Sequence, residues 1–138
     1  MENSEAKEFC RAHYVNYNAM ASVMFKSEYA PLAAEILYKA SKANSKKERW
    51  GHIYNGCIKS LLFPDLSVDN FWKAWTATFP DSIGLVAFRN GAYAVNKSFQ
   101  RKNTQKDSDA HRRDRQISTK IAEVLNSILS PEETSKKL

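Results

Sequence analysis

Little in this chain suits irregular, cross-linked or membrane-spanning structure. Glycine and proline occur four times each in 138 residues, too few for a loop-rich, collagen-like or low-complexity polypeptide. Two cysteines, Cys10 and Cys57, cannot build a disulfide framework, so reduced thiols are expected. No apolar run approaches the roughly 20 residues that cross a bilayer. The opening Met1-Glu2-Asn3-Ser4-Glu5 has neither the basic leader and apolar run of a secretion signal nor the Arg-rich bias of a transit peptide. An intracellular protein is expected, with cytoplasm and nucleus left open.

Motifs of catalysis are missing as well. The chain has no Gly-rich phosphate loop, no Gly-x-Ser-x-Gly elbow and no paired His/Glu metal motif, so no catalytic residue and no cofactor is assigned. Asp65, Asp69 and Asp81 stand beside proline or helix starts, where capping explains them. Cys10 and His13, three apart on one helix, can jointly face a metal. His52 and Cys57, five apart, point about 140° away from each other on theirs. Four convergent ligands are therefore not on offer, and no metal site is expected.

What is present is helical period. With 43% apolar and 26% charged residues, the chain is long enough for one core burying roughly two thirds of its unfolded surface. The spacing predicts an all-α, compact bundle of five or six helices in one domain over residues 1–130, with a flexible or weakly helical tail at 131–138. A first helix is expected at about 4–26, with Phe9, Ala12, Met20, Val23 and Met24 near one face and Tyr14, Tyr17 and Ala21 widening it. A second follows a Ser27 cap, with Pro31 in its first turn and Leu32, Ile36, Leu37 and Ala40 as its stripe. The third opens on Ser45-Lys46-Lys47-Glu48, which has the form of a capping box, and carries Trp50, Ile53, Tyr54, Cys57, Ile58, Leu61 and Leu62 at three-and-four spacing. A fourth runs from a Ser67 cap to Pro80 and concentrates Phe71, Trp72, Trp75 and Phe79.

Residues 84–96 read two ways. Asn90-Gly91 between Val86-Ala87-Phe88 and Tyr93-Ala94-Val95 has the form of a type I′ hairpin. Alternatively, Gly84, Ala87, Gly91, Ala94 and Ser98 form a thin helical face beside a larger one of Leu85, Phe88, Ala92, Val95 and Phe99. The helix is preferred, as a central packed element. A last helix capped by Asp107, Ser108 or Asp109 should bury Ile117, Ile121, Val124, Leu125 and Ile128. Its first two turns, with little to bury, should project into solvent.

Charge is the most uneven property. Between Asn96 and Lys120 stand eight Lys/Arg and three Asp, a surplus of five in a chain whose net charge is +6. A second, smaller surplus lies at residues 46–63, where four basic residues face one acidic. Fold stability does not require such concentration, whereas contact with a polyanion does. The candidate nucleic-acid-binding residues are Lys46, Lys47 and Arg49 in one patch and Lys97, Arg101, Lys102, Lys106, Arg112, Arg113 and Arg115 in the other, both near helix starts whose free N–H groups favour anions.

The spacing matches no zinc finger, helix-turn-helix or RNA-recognition sheet. Backbone contact is therefore expected, with RNA or single strands favoured over duplex DNA. His111, Arg112 and Arg115, with Tyr93 or Phe99 if exposed, offer planar groups for stacking on unpaired bases. A non-enzymatic nucleic-acid-binding protein follows, of a kind that suits a small subunit of a ribonucleoprotein complex. The alternative is a helical protein-interaction module or inhibitor, of viral or mobile-element type. It would engage a protein partner or a second copy through residues 9–25, where Tyr14, Tyr17, Met20, Met24 and Phe25 spread beyond one stripe.

Overall fold

The computed structural model describes residues 3–81, 83–99 and 109–129. Its elements are α1 (Asn3–Ala12), α2 (Tyr17–Ala21), a 3-10 turn (Ser27–Tyr29), α3 (Ala30–Lys42), α4 (Glu48–Lys59), α5 (Val68–Thr78), α6 (Leu85–Phe99) and α7 (Asp109–Asn126). The described residues contain no strand, so the helical reading of 84–96 holds and the hairpin does not form. The all-α bundle is as expected, with seven helices among the described residues. The tail at 131–138 lies outside the described residues.

The extra helix comes from a break in the first. Tyr14 takes a left-handed conformation, φ 58°. Its N–H donates to the Arg11 carbonyl (3.3 Å) and that of Val15 to the Cys10 carbonyl (2.8 Å). This is the Schellman pattern that ends a helix, with tyrosine where glycine is usual. Val15 and Cys10 are both buried, supplying the apolar contact of the motif. Beyond it the Asn16 N–H donates to the Thr78 carbonyl at 2.7 Å, which ties the turn to the end of α5. A long-range bond thus completes a local stop.

Caps are realised unevenly. Ser67 accepts from the Asn70 N–H at 3.1 Å, as expected of an N-cap. The Ser45 capping box does not form: α4 begins at Glu48 without a side-chain cap, and in the loop before it Asn44 Oδ1 accepts from the Lys46 N–H at 3.0 Å. Ser27 opens the 3-10 turn rather than capping α3, whose first turn holds Pro31.

At the centre lies α4. Trp50, Gly51, His52, Ile53, Gly56 and Cys57 are all buried, because neighbours cover it on several sides. A Cβ on Gly51 would stand 2.5 Å from Val95 of α6, and one on Gly56 would stand 2.5 Å from Ile121 of α7. On α6, a Cβ at Gly91 would meet the Lys47 carbonyl oxygen at 2.2 Å. Of the thin face expected of α6, Gly91 makes the close approach, Ala94 is half-buried, Gly84 and Ala87 are exposed and the side chain of Ser98 lies outside the described ones; Phe88, Ala92 and Val95 are fully buried. Asn55 Nδ2 donates to Asn96 Oδ1 at 2.8 Å along the same seam.

Aromatic rings fill the space between α4, α5 and α6. Trp50 meets Trp75 edge-on, with ring centroids 5.4 Å apart, and Phe71 stacks on Phe88 at 5.9 Å. Arg89 of α6 donates Nε to Asp69 Oδ1 of α5 at 2.9 Å, and this hydrogen bond holds the Asp69 carboxyl below its usual value. Cys10 and Cys57 are free and buried. Burial, then the nearby Glu35 charge, raises the Cys10 thiol to about 11, and burial lifts Cys57 well above its ordinary value.

The phase of α7 differs from the expected one. Ser118, Ala122 and Leu125 are buried, whereas Ile117 and Val124 remain 37% and 38% exposed. Leu125, Ile121 and Ile128 of the expected stripe do pack on the core, with Ile121 seated against Gly56. Two expectations follow. Gly91→Ala should lower unfolding free energy by about 3 kcal/mol, since backbone must move to admit the methyl group. Ile117→Ser should cost no more than about 0.5 kcal/mol, as at other exposed sites. Denaturant midpoints test both. In the same preparations neither thiol should react with a disulfide reagent at neutral pH until the chain unfolds.

Candidate nucleic-acid interface

Three contacts set the relation of α4 to α7. His52 Nε2 lies 2.8 Å from Asp114 Oδ1, Gly56 faces Ser118 and Ile121, and the Leu61 N–H donates to Asn126 Oδ1 at 2.7 Å. Residue numbers rise together on both helices, so the two run parallel and their starts lie at the same end. Lys46 and Arg49 precede His52 by about 9 and 5 Å of helix rise, and Arg112 and Arg113 precede Asp114 by about 3 and 2 Å. Lys46, Lys47 and Arg49 thus lie at the same end of the helix pair as Arg112 and Arg113, more than sixty residues further along the sequence.

Lys46 and Lys47 are exposed, and Arg49 is half-buried. The Arg49 guanidinium lies over the Trp50 ring, 4.4 Å from its centroid, and Nη1 donates to the Lys46 carbonyl at 2.8 Å. Cation–π contact thus fixes its position. Arg112 and Arg113 are exposed on α7 and Arg115 is half-buried. Arg112 pairs with Asp109. Arg112 and Arg115 line a shallow groove with Gln116, Thr119, Lys120 and the acidic Glu123.

Lys97 is exposed but stands apart. It lies about 9 Å along α6 from Gly91, the residue that touches Lys47. Arg101, Lys102 and Lys106 lie outside the described residues. Of the stacking candidates, Tyr93 is 48% exposed and His111 is half-buried. The ring of Phe99 lies outside the described side chains.

The first two turns of α7 do not simply project into solvent. Asp114 docks them on α4 through His52, and the side chains of this pair are only 18% and 10% exposed. His52 lies off the apolar stripe of its helix, and nothing in the sequence pointed to this contact with a partner 62 residues away. Along residues 9–25, Met20 and Met24 are buried within the chain itself and Tyr17 packs against the core, while Tyr14 is 84% exposed. Cys10 and His13 do not converge: Cys10 Sγ contacts the Pro31 carbonyl at 3.8 Å, and His13 Nδ1 contacts the Phe9 carbonyl at 2.9 Å.

No family model, curated protein or solved structure matches the chain. The chemistry of the surface therefore carries the functional argument alone. No helix among the described residues is long and apolar enough to cross a membrane.

Because Asp114 is the polar anchor of the basic end of α7, Asp114→Ala should destabilise the protein by about 2 kcal/mol. Asp114→Asn, which keeps an acceptor, should cost less. Amide hydrogen exchange should locate the loss in residues 109–116. Unchanged exchange there would mean that the pair does not dock the helix.

Proposed function

We propose that this protein binds nucleic acid through its phosphates, without catalysing a reaction, and that it takes RNA or single strands in preference to duplex DNA. One observation carries this reading: the parallel pairing of α4 and α7 puts Lys46, Lys47 and Arg49 at the same end as Arg112, Arg113 and Arg115. Phosphate contacts need cations distributed over a surface rather than one deep pocket, and they carry no base sequence. No described element has the form of a recognition helix with base-reading side chains, which favours contact by shape and charge.

Fluorescence anisotropy of a labelled single-stranded RNA, titrated at several salt concentrations, tests the proposal. With about four phosphates neutralised, log affinity should fall against log salt with a slope of roughly −3. Joint replacement of Arg112, Arg113 and Arg115 by alanine should weaken binding and flatten that slope by about two. Lys46→Glu with Lys47→Glu should weaken it comparably, because both patches serve one ligand. A salt-independent affinity would exclude phosphate binding. Loss from one patch alone would exclude a shared face.

A further inference from the structure

A cleft of about 730 Å³ opens where the end of α3, the loop into α4 and the loop between α5 and α6 face one another. That volume is ordinary for a small-molecule site. Tyr38, Trp50, Trp75 and Phe79 contribute aromatic rings to its lining. Ser41, Asn44 and Ser45, from the end of α3 and the loop that follows, contribute hydroxyl and amide groups.

Three charged residues complete it, and two of them cancel. Lys42 Nζ lies 2.5 Å from Asp81 Oδ2, joining α3 to the loop after α5. Arg49 is left as the uncompensated cation of the lining. Its Nε is buried and has no hydrogen-bond acceptor, and its guanidinium is held against Trp50. A ligand matching this lining has a flat π-ring, ring-edge groups that can accept and donate hydrogen bonds, and one anionic group. Those are the parts of a nucleotide.

The surroundings agree with that ligand. Arg49 belongs both to the cleft and to the basic start of α4, and Lys46 and Lys47 directly follow the cleft residues Asn44 and Ser45. A strand whose phosphates follow the two lysines passes the cleft mouth. A base in a duplex cannot enter, because it must first leave the stack.

We infer that this cleft seats one unstacked nucleotide, its ring among the Tyr38 and Trp50 side and its phosphate on Arg49, supplied as a unit of a single strand or as a free nucleotide. As a unit of a strand, it rests on the phosphate-binding reading above.

Gly84 gives the means to test it. It lines the cleft, a Cβ there meets nothing within 4 Å, and its φ is not in the left-handed range. Gly84→Phe therefore fills the space without a backbone clash, and an unchanged thermal midpoint verifies the fold. Trp50 and Trp75 report occupancy by their fluorescence. Adenosine monophosphate should quench it saturably, whereas ribose 5-phosphate and inorganic phosphate should not. Gly84→Phe should weaken that binding by about tenfold or more, the worth of one stacked base.

With oligonucleotides, the wild type should prefer a short single strand to the duplex of the same sequence. Gly84→Phe should remove that preference while the salt slope changes by no more than about one. Absence of quenching, equal binding of ribose 5-phosphate, or quenching unaffected by Gly84→Phe each overturns the nucleotide cleft. If oligonucleotide binding stays steep in salt in that event, phosphate binding survives alone. Saturable mononucleotide binding that Gly84→Phe removes, with no oligonucleotide affinity, assigns the cleft to a free nucleotide and overturns the polymer reading.

Discussion

The close approach of three helices at glycine is the constraint on which this structure depends. Gly51, Gly56 and Gly91 each occupy a place where a Cβ would lie within 2.5 Å of another element. Gly51 and Gly56 are five residues apart, so they open two faces of α4 about 140° apart, one to α6 and one to α7. A glycine inside a helix costs about 1 kcal/mol of propensity. Here that loss is offset by backbone contact that no larger residue allows, which explains how four glycines suffice for the whole chain. The same contacts decide the function-bearing geometry. They lock α7 parallel to α4, and parallel helices share the end at which they start.

That end is electrostatically odd if stability alone is considered. A helix start carries the positive pole of the backbone dipole, and cations there are unfavourable by about 0.3–1 kcal/mol each. Lys46, Lys47 and Arg49 surround one such start, and Arg112 and Arg113 lie in the first turns of another. Glu48 and Asp109 in the first turns offset part of this, as does Asp114 beside His52. A bound anion would offset the remainder by meeting both the side-chain charge and the free N–H groups. Local rules broken without structural gain are what functional surfaces look like.

Local signals were the readable part of the chain. The Ser67 cap, the aromatic-rich fourth helix and the helical rather than hairpin nature of 84–96 follow from spacing and composition within a few turns. Three features did not follow. Tyr14 stops α1 in a conformation that the residue type disfavours, stabilised partly by the bond from Asn16 to Thr78. Ser45 has the right neighbours for a capping box, but α4 starts only at Glu48, which puts Ser45 outside the cap position. Ile117 and Val124 fit an apolar stripe on paper, yet the buried face runs through Ser118, Ala122 and Leu125, with Ile121 against Gly56. Periodicity locates an amphipathic helix; it does not say which edge of a broad stripe a partner will choose.

The candidate surface was legible in the same partial way. Charge counting finds the basic residues, but only the contacts of His52 with Asp114, Gly56 with Ile121 and Leu61 with Asn126 show that those of α4 and α7 share an end. The cleft was hidden for a different reason. Its rings, Trp50, Trp75 and Phe79, are core residues by every sequence criterion and are almost wholly buried. A residue that packs the core and lines a cleft gives no separate signal for the second role. Arg49 is the exception, since a cation drawn over a core tryptophan has no structural necessity at an exposed helix start. Its position, touching aromatic core on one side and the lysine pair on the other, is where ring recognition and phosphate recognition would have to meet.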